Sequence, residues 1–217
     1  MGTRVPTRQK KVQAAKVSRA ARIAPRSATA SLPSLDRRYL VCGALLAAVT
    51  LAVYLRTLGN GFVSYDDIEY ITGNDHIQHG VTWEMFTWAM SSTYAANWHP
   101  LTWISHALDC QMFGLHPAGH HFTNALLHAV SVLVLFFILA RATGALGASL
   151  IVAALFALHP LNVETVAWAS ERKSVLSTLL FFLNLAAYGW YARRPDLRRY
   201  TAVVALFLLG QIGRADV

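Results

Sequence analysis

Apolar residues in this chain gather into long runs, and several approach the ~20 residues needed to cross a hydrocarbon core. "YLVCGALLAAVTLAVYL" (39–55) is the first, with Arg37, Arg38 and Arg56 at its ends. "NALLHAVSVLVLFFILA" (124–140) is the second and begins near His120. "ALGASLIVAALFALHP" (145–160) is shorter, and "SVLSTLLFFLNLAAYGWYA" (174–192) closes on Trp190 and Tyr191, placed as interface anchors. "YTAVVALFLLGQIG" (200–213) opens as a fifth run and then gives out. The pattern predicts an all-α, polytopic membrane protein of four spans plus a shortened fifth. Lipid offers no water to satisfy open backbone groups, so every span must be helical.

Residues 57–119, between the first two runs, are too many for a structureless connection. "TWEMFTWAM" (82–90) starts on a capping threonine, Thr82, and sets Trp83, Phe86 and Met90 at helical spacing. "HPLTWISHALDCQMFGLHP" (99–117) sets Leu101, Ile104, Leu108 and Met112 on one face, bounded by Pro100 and Gly114. Both read as amphipathic helices lying in the headgroup zone, with Trp83, Trp88, Trp98 and Trp103 as anchors. Such a loop would cover a pocket at the membrane surface and suits a substrate with a lipid tail and a polar head.

Charge gives the spans a direction. The net charge is +8, but ten of the 19 basic residues lie between Arg4 and Arg38, where Asp36 is the only acid. Residues 1–37 are therefore expected to be a disordered basic arm. Its place just before a span makes it a cytoplasmic anchor more simply than a nucleic-acid arm. From 57 to 140 there is no Lys or Arg but there are six acids, whereas "RRPDLRR" (193–199) carries four arginines. By the positive-inside rule the N-terminus, Arg141 and the 193–199 turn are cytoplasmic, and 57–119 and 160–173 face outward. The protein is expected to be multi-pass in the plasma (inner) membrane. Glu171-Arg172-Lys173 breaks the rule by setting two cations on the outer side, which reads either as a local ion pair with headgroup contacts or as an anion site.

Candidate chemistry follows from those exceptions. Asp66 and Asp67 sit side by side just beyond the first span. Neighbours on extended chain point to opposite sides, so at most one enters a given pocket. Turn and cap chemistry, a general base and a divalent-cation ligand are all open to them. Nine histidines include no H-E-x-x-H motif; His120, Asn124 and His128 share a helical face, and bonding inside the bundle explains them better than a metal site. Cys42 and Cys110 fall at different depths and read as one buried and one free thiol.

These stretches carry a resemblance. "FVSYDDIEYITGND", "ANWHPLTWISHALDCQMFGLHPAGHHFTNALLH" and "ALFALHPLNVETVAWASERKSVLS" resemble the N-terminal membrane part of bacterial proteins that join a glycosyltransferase-like domain to tetratricopeptide repeats. Their animal relatives are the transmembrane-and-tetratricopeptide-repeat O-mannosyltransferases, within the C-type glycosyltransferase superfamily. The match covers about residues 38–209. It implies transfer of a sugar from a polyprenyl-phosphate donor to a protein or other hydroxyl acceptor on the outer face, with no certain cofactor and a divalent cation as an option. It implies Asp66 or Asp67 as catalytic base or acceptor contact, and Arg172 and Lys173 on the donor phosphate. His99, His159 and Glu171 belong to the motifs as supporting residues. Members continue after the fifth span, so residues 38–213 are expected to be a truncated or frameshifted membrane domain, inactive on its own, with 214–217 as a tail. The competing reading is a non-catalytic anchor or assembly module whose acidic loop binds a protein. A transporter would need more polar residues in the spans than Asn184 and His128.

Overall fold

The computed structural model describes residues 36–212 and, as backbone, residues 215–216. The basic arm expected over 1–37 lies almost wholly outside the described residues, as does most of the tail expected over 214–217. The rest is helical. The long helices are α1 (Arg37–Tyr54), α5 (Pro117–Thr143), α6 (Leu146–Leu158), α8 (Arg172–Arg193) and α9 (Leu197–Ile212). The segment between α1 and α5 forms α2 (Asp75–Gln78), α3 (Trp83–Ser91) and α4 (Pro100–Phe113), and α7 (Leu161–Ala167) follows α6. One two-residue antiparallel pairing, Asn97 with Asp216 and Trp98 with Ala215, adds a ladder too short to alter the class.

Among the described residues, three helices are long and apolar enough to cross a membrane, and four spans result if the bent pair α6–α7 counts as one. At 16 residues α9 is short for a crossing, as its sequence predicts. Helix α5 is the central post, with α1, α6 and α8 packed on it. The contacts are close because the facing residues are small: Ala129, Ala140, Ala153 and Ala157 are buried with Val132 and Phe136. Lipid supplies no hydrophobic drive between spans, so close backbone approach is what holds them. Tyr39, at the start of α1, donates to the Gly144 carbonyl at the end of α5 (3.1 Å), which makes the two antiparallel. Gly144 ends α5 in the left-handed region (φ 69°), where a side chain would cost energy.

The break between α6 and α7 is a 59° bend with an identifiable cause. Pro160 has no N–H to offer the Phe156 carbonyl four residues back, and the Asn162 amide donates to it instead (2.6 Å). The Leu161 N–H turns to His159 Nδ1 (3.2 Å), which leaves the Ala157 carbonyl to Tyr54 (3.4 Å) and to His128 Nε2 (3.1 Å). Freed backbone groups inside a membrane protein have to be met by neighbours, and here the Phe156 and Ala157 carbonyls are.

The 75–113 region forms the helices its sequence predicts, and most of their apolar stripe turns away from the core, as helices lying in the headgroup zone require. Thr82 caps α3 through the Met85 N–H (3.0 Å), and Pro100 and Gly114 bound α4. The apolar stripes are not core. Trp83 is 78% exposed, and Phe86, Met90, Leu108 and Met112 are also exposed. The buried face of α4 is Thr102, Trp103, His106, Ala107, Asp109 and Cys110. Trp103 is therefore a core residue, a correction to its expected role as an interface anchor. The cysteines are exchanged in the same way: Cys110 is buried and Cys42 only partly so, and both are free.

Candidate functional site

Two layers of polar residues lie one above the other where α4, the 61–72 segment and the start of α8 meet. The deeper layer is centred on Arg172, whose side chain is fully buried. Its Nη2 donates to Asp109 Oδ2 (2.6 Å) and to the His120 carbonyl (3.0 Å). Nη1 donates to Ser105 Oγ (2.7 Å), and Nε donates to Asn124 Oδ1. Thr123 donates to the other Asp109 oxygen (2.8 Å), and the Asn124 amide donates to the Trp168 carbonyl (2.8 Å). Helices α4, α5 and α8 are thus tied through one guanidinium, whose planar fork suits several acceptors at fixed angles.

Asp67 belongs to this layer too. It is fully buried; Oδ1 accepts from the Ser170 N–H (2.9 Å) and Oδ2 from the Val63 N–H (2.8 Å). A carboxylate placed this way clips the 61–67 strand of chain to the turn before α8.

The shallower layer contains Lys173, Tyr70, Asp66, Glu171 and His99. Lys173 Nζ lies 3.4 Å from the Tyr70 hydroxyl and 5.1 Å from that ring's centre, and 3.7 Å from Glu171 Oε1. The other Glu171 oxygen accepts from Ser174 (2.6 Å). Asp66 is partly exposed, and its charge acts on both Tyr70 and Lys173. His99 is stacked on the Tyr70 ring, 5.4 Å between centres with planes 16° apart, and Trp103 closes the stack from below. Burial pushes the Tyr70 phenol up, opposed by Lys173, so it stays protonated and can donate. Lys173 and Glu171 keep about a fifth of their side-chain surface open.

Of the residues singled out from sequence, Asp66, Lys173, His99 and Glu171 therefore come together, and Asp67 and Arg172 lie beneath them. His159 is exposed at the α6–α7 bend, where it caps the Leu161 N–H. Sequence reading missed Asp109, Ser105, Asn124 and Tyr70 as partners. The available signal was Asp109 at i+3 from His106 on a helix face with no basic neighbour, which calls for a cation from elsewhere.

A divalent cation has one candidate place among the described residues: His106, Asp109 and His120 offer ligand atoms within 4.8 Å of one another. The residues do not fit it. Both Asp109 oxygens are engaged, and Arg172 already places a permanent positive charge on the carboxylate. A second, doubly charged cation beside a buried guanidinium would be repelled at low dielectric. Burial and the nearby Arg172, His120 and His99 hold the His106 imidazole well below its usual range, so it is neutral.

A membrane protein with a buried Arg–Asp tie beneath a half-open Lys–Tyr–carboxylate cluster is the class defined so far. Comparison with known proteins then gives its relatives, which are named protein O-mannosyl-transferases. The chain is 30% identical over 191 residues to protein O-mannosyl-transferase Tmtc2 of Drosophila melanogaster, covering 83% of this chain and 20% of that protein. It is 32% identical over 154 residues to mouse TMTC1, covering 67% of this chain and 16% of that protein. To human TMTC4 it is 32% identical over 165 residues, 66% of this chain and 22% of that protein. The chain thus spans about a fifth of the length of the curated relatives it matches. No protein-family model matches it, and no solved structure does.

Proposed function

We propose that this chain forms part of an integral-membrane glycosyltransferase of the O-mannosyltransferase kind. It moves a sugar from a polyprenyl-phosphate donor to a hydroxyl of a protein or other acceptor. The observation that carries the reading is the shallow cluster: a carboxylate, Asp66, whose charge acts on a cation, Lys173, that Tyr70 and Glu171 hold near the surface. The names of the homologues support it.

In this mechanism the Asp66 carboxylate takes the proton from the acceptor hydroxyl as its oxygen bonds to the anomeric carbon. The bond from that carbon to the phosphate oxygen breaks, and its electron pair leaves with the phosphate. Lys173 offsets the charge that grows there, and Tyr70 and Glu171 fix its position. Asp67 and Arg172 are assigned to structure, because both are fully buried with their polar atoms engaged. No step is assigned to a divalent cation. The reading sets the acidic end on the outer face of the plasma (inner) membrane and the N-terminus in the cytoplasm, supported by the arginines at the opposite end.

The test uses membranes containing the full-length enzyme of which this chain forms part, a polyprenyl-phosphate mannose and a serine-bearing acceptor peptide. Asp66→Asn is expected to lower transfer by about a hundredfold or more with donor binding kept. Lys173→Gln is expected to weaken donor binding about tenfold, one lost charge-assisted contact. Full transfer by Asp66→Asn sinks the assignment of the base. Unchanged donor binding in Lys173→Gln, with no transfer by any form, leaves the anchor reading in its place.

A further inference from the structure

At the arginine-rich end of the bundle, α5 and α8 part around a crevice of about 460 Å³. Its walls are apolar, with Leu133 and Phe137 on one side and Leu183 and Gly189 on the other. Gly189 hollows it: a Cβ built there meets nothing within 4 Å. Arg141 and Arg193 line the end where the two helices stop, both exposed, and no carboxylate lines the crevice. Trp190 stands beside them with the Arg199 guanidinium 4.6 Å over its ring.

Each arginine taken singly suits a helix C-terminus, where a cation meets the negative end of the dipole. That does not account for an open apolar slot between the two helices. The combination matches a molecule with a hydrocarbon tail and a negative head, at the depth where tails and heads meet. We propose that the crevice binds one anionic phospholipid, an acyl chain in the slot and the phosphate between Arg141 and Arg193. A zwitterionic lipid has the same phosphate, but its own cation would lie against the arginine pair. The site lies at the opposite end of the spans from the Asp66–Lys173 cluster and does not depend on the proposed reaction.

The test is native mass spectrometry of the full chain in detergent, with dioleoyl phosphatidylglycerol or dioleoyl phosphatidylcholine added. The wild type is expected to retain one phosphatidylglycerol with about tenfold preference, as two cations at a membrane surface allow. Arg141→Gln/Arg193→Gln is expected to bring that preference to about one. Arg194→Gln/Arg198→Gln removes the same charge from the same end without lining the crevice, and is expected to keep the preference. Gly189→Phe fills the slot, raises helix propensity and keeps both arginines; it is expected to lose the bound lipid. Equal retention of the two lipids by the wild type overturns the proposal. So does an equal loss in the two double variants, or a lipid unmoved by Gly189→Phe. A lipid-free dimer that Gly189→Phe splits would show a second copy in the crevice, and overturns it too.

Discussion

A guanidinium with no exposed surface has to find acceptors on every side, and Arg172 finds four on two neighbouring helices, three side chains and one backbone carbonyl. Removing one partner of such a pair strands the other. Asp109→Asn and Arg172→Met are each expected to cost about 3–5 kcal/mol, and the double variant less than their sum. Reversible unfolding in detergent measures this, and strict additivity would deny the coupling. His106, on the same face of α4, gives the site a pH signature. Its folded value is depressed, so below pH 6.5 the unfolded imidazole takes up a proton that the buried one refuses. Stability then falls as pH falls, by up to about 1.4 kcal/mol per pH unit, until the lowered folded value is reached. His106→Leu is expected to flatten that slope between pH 6.5 and 5 without moving stability at pH 8 in the same proportion. An unchanged slope would mean that another group carries it. Cys110 is pushed up to about 11 by burial and by Asp109, so its thiol stays protonated at neutral pH.

At the scale of elements, α4 shows where pattern reading reached its limit. Helical spacing and the Pro100 and Gly114 stops were legible, since they are local. The outward turn of the apolar stripe was legible as well, since a helix lying in the headgroup zone gives that stripe to lipid, but what its opposite face packs against was not. The polar face of α4 turns inward to Arg172, 63 residues further on, and no local pattern announces that partner. The outward apolar stripe has a measurable consequence. Bromine-labelled lipids are expected to quench Trp83 strongly and Trp103 hardly at all, given 78% and 0% exposure. Trp83→Phe should then remove much of the quenched fluorescence, whereas Trp103→Phe should leave the quenched part intact and lower stability. Quenching unaffected by Trp83→Phe would mean that α3 does not meet lipid. Close packing has its own local mark: a Cβ at Gly119 would stand 2.3 Å from the Phe113 ring, so the α4–α5 corner closes only around glycine.

Across the whole molecule, the spans and the separation of charge along the chain were the most legible features, because both follow from composition over long windows. The long helices overlap the apolar runs read from sequence, and the third run ends in the bend set by Pro160. The site was legible in half. Asp66 and Lys173 stand out as charges at an apolar boundary, but adjacency hid a division of labour. Each pair, Asp66 with Asp67 and Arg172 with Lys173, splits into one buried member and one partly open member. Neighbouring side chains diverge, so a doubled charge in sequence need not be a doubled charge in a pocket.

The Arg172–Asp109 tie also bears on how the chain is made. Asp109 leaves the ribosome 63 residues ahead of its partner. At roughly 5–20 residues per second it waits several seconds for that cation. Until then the acid on α4 has no counter-charge, and the polar face of the helix has nothing to close against. Assembly therefore has an order: the 57–119 segment stays provisional during synthesis, and the arrival of α8 fixes it.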